Sequence, residues 1–350
     1  MNTTYSKKDV ILINLLYCTL LRTIIYLNNF LQIRLFRVHT VKPLMIISYY
    51  KMNNIFRSNI MDIGDSVVRR SYGKDVTFKI IDIKYKNGEK NFILKGINIR
   101  IIADSTIDDL EEIKEENKNE IGSKDKILNT RVSEAINKAM VFRGELRDKV
   151  EKAPKIKNKD ELMFGRPGKI LHVDGDSEYM ETCLKVYKQL SLDAVGKAIP
   201  ENEQPDVVVD LVKEVKPDIV VLTGHDSVIK EPKDYLDLNN YRNSKYFLKS
   251  VENLRNYNSS YDELVIFAGA CQSCYERILD VGANFASSPS RVLIHCLDPV
   301  FVCEKIAYTR IDKVISITDV IENTITGIKG VGGLQTRGKY REGYPKSPYI

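Results

Sequence analysis

Cys271 and His225 are the two side chains whose type and setting suit nucleophilic chemistry. Each follows a short apolar run. Ile219-Val220-Val221-Leu222 leads into Thr223-Gly224-His225-Asp226, and Leu264-Val265-Ile266-Phe267-Ala268 leads into Gly269-Ala270-Cys271-Gln272-Ser273. A thiolate attacks carbonyl carbon, and an imidazole can take and return a proton near neutral pH. The small residues before Cys271 let the chain turn sharply and leave room for a substrate. The backbone N–H groups of Cys271 and of a residue near His225 are the natural donors to an oxyanion, with Gly224, Asp226, Gly269 and Gln272 as its orienting neighbours. A helix beginning near Ser273 would lower the thiol pKa. Such chemistry requires no cofactor.

Other constellations compete. Singly, a cysteine at a strand end is commonly a small buried hydrophobe, and a histidine there a turn residue. Cys271 and Cys274 form a C-x-x-C, which elsewhere is a redox pair. Zinc would draw on His295, Cys296 and Cys303, but no second C-x-x-C or H-x-x-x-H completes a ligand set. Asp174 and Asp176 follow His172 and offer two readings: an acidic pocket for a basic substrate side chain, or a helix cap. Gly327, Gly330, Gly332 and Gly333 precede a basic stretch with Arg337, Lys339 and Arg341 and read as a disordered tail, with a lid or a self-cleavage site as alternatives.

The elements that must position these groups alternate after Gly168. Apolar strands are expected at 170–173, 193–199, 218–222, 264–268 and 292–295, with helices at 178–190, 206–215, 245–257, 274–281 and 299–308. This order predicts an α/β fold, an open, mostly parallel sheet with helices on both faces, whose active groups collect beyond the carboxyl ends of the strands. Neighbouring strands lie about 4.8 Å apart, so side chains from adjacent strand ends can meet. Upstream, β-rich runs at 66–70, 76–85, 91–95 and 97–102, with Asn87-Gly88 as a hairpin turn, predict a small SH3-like β-barrel. The expected organisation is therefore an uncertain apolar extension over 1–60, the barrel over 61–104, a charged linker and helix over 105–167, the α/β domain over 168–328, and the Gly-rich basic tail over 329–350.

Composition narrows the classes. With 43% hydrophobic and 29% charged residues the chain reads as globular, and a net charge of +6 spread along 350 residues is no nucleic-acid footprint. Six irregularly spaced cysteines favour a reducing compartment over a disulfide framework. Arg22, Arg34 and Arg37 interrupt the apolar opening, so no stable membrane span is expected there; Met52 and Met61 are alternative starts.

The order His then Cys, with the His about 50 residues upstream, resembles the caspase-type cysteine peptidases. A closer resemblance is to the YabG sporulation-specific protease family. It rests on Gly64-Asp65-Ser66-Val67-Val68-Arg69-Arg70-Ser71-Tyr72-Gly73, Leu171-His172-Val173-Asp174-Gly175-Asp176, Thr223-Gly224-His225-Asp226 and Gly269-Ala270-Cys271-Gln272-Ser273. The resemblance implies a caspase-like fold. It also implies an endopeptidase that processes spore coat and cortex-associated proteins, located in the mother-cell cytoplasm and spore coat, with cleavage after basic residues. The caspase-type pattern places Gly directly after the His, where this chain has Asp226; Asp226 could instead orient His225. A receiver-like binding module, with a barrel that recruits partners and with Asp174 and Asp176 on a cation, is the alternative from another class.

Overall fold

Val67, Phe78, Ile80, Phe92 and Leu94 recur at strand spacing, and their burial against one another builds the first sheet. The computed structural model describes residues 61–86, 88–113, 123–151, 163–347 and 349, without the side chains of 123, 124 and 142–151. The expectations for 1–60, Asn87 and Pro154 fall outside the described residues. Strands β1 (Ser66–Arg69), β2 (Thr77–Lys86), β3 (Glu89–Gly96), β4 (Ile102–Thr106) and β5 (Leu110–Glu112) form an antiparallel sheet in the order β4-β3-β2-β1-β5. No strand pairing joins β4 to β5 among the described residues.

Two expectations change here. Residues 97–101 are not a strand: they reverse the chain, with the Gly96 N–H donating to the Ile101 carbonyl at 2.9 Å and Ile99 bridging to His295. The sheet also runs past residue 104, because β5 pairs with β1, so part of the charged stretch lies in the sheet. Helix α1 (Ser123–Glu151) follows and packs Leu128, Val132, Ala135, Ile136 and Ala139 on the larger core.

The second half alternates as expected. Strand β6 (Phe164–Arg166) precedes β7 (Ile170–Asp174), α2 (Ser177–Gln189), β8 (Ala194–Ala198), α3 (Gln204–Val215), β9 (Ile219–Thr223), α4 (Ser244–Tyr257), β10 (Val265–Ala268), α5 (Tyr275–Asp280), β11 (Phe285–Ser287) and α6 (Asp298–Tyr308). Strands β12 (Val314–Ile315), β13 (Val331–Gly333), β14 (Thr336–Arg337) and β15 (Arg341–Gly343), with helix α7 (Ile317–Ile321), complete the chain. The main sheet has the order β13-β11-β10-β9-β7-β8, parallel except for β13. Its strands are apolar on both faces. Ile219, Val221, Val265 and Phe267 face one core with Tyr187 and Phe301, whereas Val220, Leu222, Ile266 and Ala268 face the other with Val212 and Phe247. This division is the two-residue strand period between two helical layers. Residues 61–350 make one compact unit.

Two further expectations are corrected. Residues 292–295 are not the fifth strand; that place belongs to β11, whose Phe-Ala-Ser is short and carries only one large apolar residue. The segment 292–295 instead crosses the strand ends, where the Ile294 N–H donates to Cys271 Sγ. The Gly-rich segment is not a loose tail. Val331 is buried, β13 closes the sheet against β11, and a Cβ at Gly333 would stand 2.3 Å from the Asn284 carbonyl. Glycine there serves close packing. Among the described residues no helix is long and apolar enough to cross a membrane.

Candidate active site

Strand register sets the level of each group. In β9 and β10, Leu222 pairs with Ala268, and His225 and Cys271 each stand three residues beyond that pair. In β7 and β9, Asp174 pairs with Thr223, and Asp176 and His225 each stand two residues beyond. Because β9 lies between β7 and β10, the His225 turn has the Asp176 turn on one side and the Cys271 turn on the other.

The Asp176 side is closely made. Asp176 Oδ2 lies 2.9 Å from His225 Nε2, which leaves Nδ1 for other work. Asp176 Oδ1 caps α2 by accepting from the N–H groups of Glu178 and Tyr179, and it also accepts from Lys95 Nζ at 2.7 Å. Burial raises the pKa of such a carboxyl, but the hydrogen bonds from His225, Lys95 and the helix end outweigh it and hold Asp176 below the ordinary range. The backbone of His225 is fixed too: its N–H donates to Glu201 Oε1 at 2.6 Å and its carbonyl accepts from Asn243 Nδ2 at 2.8 Å. Glu201 reaches in between Gly175 and Gly224, where a Cβ on either would stand 2.2 Å from Oε1.

Asp226 does not orient His225, as the sequence suggested it could. Its Oδ1 accepts from the N–H groups of Ser227 and Asn243, and its Oδ2 from the hydroxyls of Ser244 and Ser273. Ser273 Oγ also accepts from the Ala270 N–H at 2.9 Å, so Asp226 ties the histidine turn to the cysteine turn. Asp174 is fully buried and gives one oxygen to each terminal nitrogen of Arg100, at 2.9 and 2.7 Å. Burial opposes that charge, but Arg100 and His172 bring Asp174 down to about 2. Every oxygen of Asp174, Asp176 and Asp226 therefore has a partner within the protein.

Cys271 is 1% exposed. Its Sγ accepts from the Ile294 N–H at 3.2 Å, and no hydrogen bond joins it to the His225 ring. Burial pushes its thiol up to about 12. The expected lowering by a helix end is not met, since α5 starts only at Tyr275 and burial dominates. Gly269 has φ +105, which suits glycine, and Gln272 adopts φ +58 with its N–H on the Val292 carbonyl and Ser288 Oγ. The Cys271 and Asp226 N–H groups have no acceptor among the described residues.

Beside these turns lies a cavity of about 800 Å³. The strand-end turns contribute His225 and Gln272, the segment that crosses them His295, α1 Leu128 and Arg131, and the N-terminal sheet and its turn Phe78 and Ile101. Cys271 is not on its wall.

Sequence reasoning missed Lys95, Arg100, Tyr179 and Glu201. Arg100 carried a signal, as a lone guanidinium in an apolar run, and Glu201 follows a strand end. Lys95 and Tyr179 carried none, because their partners lie far along the chain.

Residues 62–345 match the family model described as YabG peptidase U57. The chain is also 42% identical over 285 residues to the sporulation-specific protease YabG of Bacillus subtilis (strain 168), an alignment that covers 81% of this chain and 97% of that protein.

Proposed function

The chain belongs to the YabG peptidase U57 family and is a sporulation protease, and from that premise we propose that it cleaves peptide bonds by acyl transfer to Cys271, with His225 moving the protons and Asp176 orienting its ring. The observation that carries this reading is the common level of the three groups on adjacent strand ends, with Asp176 holding Nε2 so that Nδ1 is left to serve the thiol.

In the reaction, a turn about the Cys271 side chain takes Sγ off the Ile294 N–H and toward the imidazole, a change between staggered rotamers. His225 takes the thiol proton as sulfur bonds to the scissile carbonyl carbon. The oxyanion accepts from the N–H groups of Cys271 and Asp226; the second donor is a backbone group, so Asp supplies it as well as Gly would. The tetrahedral adduct collapses, the C–N bond breaks, and His225 passes its proton to the leaving amine. Water, deprotonated by His225, then attacks the thioester and releases the acid and the thiol.

The substrates we propose are spore coat and cortex-associated proteins, supported by the sporulation role of the relative. We also propose cleavage after a basic residue, on the family resemblance; Asp174, Asp176 and Asp226, whose oxygens have partners within the protein, are not assigned to its pocket. Unfolded casein tests the mechanism. Cys271→Ala and His225→Ala are each expected to abolish its hydrolysis while circular dichroism stays that of the parent. Full hydrolysis by Cys271→Ala would sink the assignment.

A further inference from the structure

We propose that Lys95, carried by the N-terminal sheet, is a positioning residue of the active site: its ammonium group holds and offsets the Asp176 carboxylate and thereby sets how His225 handles its proton. The inference rests on the roles assigned above to His225 and Asp176. It gives the N-terminal sheet a share in the catalytic centre.

Lys95 lies in β3, and its side chain is 9% exposed. A lysine buried to that degree is costly unless its charge is answered. Here Nζ lies 2.7 Å from Asp176 Oδ1 and 2.8 Å from Glu178 Oε2, and it stands 4.7 Å above the Tyr179 ring. The same ring lies 5.8 Å from that of His225, centre to centre. The Tyr179 hydroxyl donates into the 96–99 turn, at 2.9 Å from the Ile99 carbonyl. Lys95, Asp176 and His225 are thus joined in series across the seam between the two sheets.

The charges around the imidazole make the consequence directional. Asp176 contacts the ring and Glu201 its backbone N–H, and Glu178 lies beyond Asp176. Arg100 and Asp174 neutralise each other. Lys95 is the cation in contact with Asp176, while Lys79 reaches only Glu178, at 3.6 Å. Arg131, Arg242 and Arg291 line the cavity with His225 and stay in every variant, so loss of Lys95 leaves Asp176 to act on the ring without its contacting cation and favours the protonated form, which cannot accept the thiol proton.

The test is casein hydrolysis by the full chain between pH 5.5 and 9. For Lys95→Met the acid limb of kcat/KM is expected to move up by about one pH unit, a loss of about tenfold at pH 6 that closes toward the parent above pH 8. Lys95→Arg, which keeps the charge, and Lys79→Met, which leaves Asp176 untouched, are expected to keep the parent profile. If circular dichroism finds Lys95→Met unfolded, Lys95→Gln drops the charge but keeps a donor to Asp176 and carries the same expectation. A parent-like profile in the neutral variant overturns the inference, as does a loss by one factor at every pH, the mark of a docking contact alone. Hydrolysis by Cys271→Ala would instead strike the mechanism beneath it, so the two failures are distinguishable.

Discussion

His295 is 2% exposed, and its Nδ1 accepts from the Leu297 N–H at 3.1 Å, which places the proton on Nε2. That Nε2 has no partner among the described residues. Burial, with Arg100 nearby, brings the His295 pKa down to about 4. Burial also pushes His172 down, by desolvation that outweighs Asp174. A histidine whose folded pKa is depressed is protonated first in the unfolded chain, so the stability it lends is present above about pH 6.5 and is lost as pH falls toward the folded value. For His295 the loss is of order 3 kcal/mol between those limits. Urea midpoints are therefore expected to fall steadily from pH 7 to pH 5, and less steeply for His295→Gln. Equal midpoints at the two pH values would contradict this account.

The strand-end turns depend on how closely neighbouring backbones approach. Thr223 accepts at its carbonyl from the Gly175 N–H and from Gln204 Nε2, both at 3.0 Å, which leaves Glu201 the narrow gap beside Gly224. Gly224→Ala is expected to push Glu201 off the His225 N–H and to lower casein turnover by about tenfold to a hundredfold, since small displacements of a reacting group are costly. Thermal melting alongside turnover separates this effect from unfolding. Parent-like turnover would mean that Glu201 does not fix the turn.

Across the whole molecule, the seam between the two sheets is held by a buried ion pair. Arg100 and Asp174 are both fully buried, and Arg100 also lies 4.9 Å from the Tyr179 ring. Arg100→Met would strip Asp174 of its guanidinium partner and leave only the Asp176 N–H and His172 beside the buried charge, at a cost of about 3–5 kcal/mol, whereas Arg100→Met with Asp174→Leu should recover much of it. Urea denaturation of the two variants checks the difference. An Arg100→Met midpoint equal to that of the parent would show that the seam does not rely on the pair.

Hydrophobic period and small-residue turns are local properties, and they suffice to place the alternation of strands and helices and the strand-end positions of His225 and Cys271. The sequence also carried the helix cap at Asp176, since an aspartate before a helical run satisfies N–H groups two and three residues away. It misread residues 97–101 and 292–295 as strands because both are apolar, and apolarity reports burial without saying which backbone partners are available. Packing in space alone establishes that Asp176 and not Asp226 meets the imidazole, that the three aspartates find their partners within the protein, and that Cys271 lies beneath Ile294. Each of these depends on which strands are neighbours and on contacts such as Lys95 with Asp176, made between residues distant in the chain. The physical reason is that a carboxylate's partner is chosen by charge and distance in space, and no short-range pattern encodes that choice.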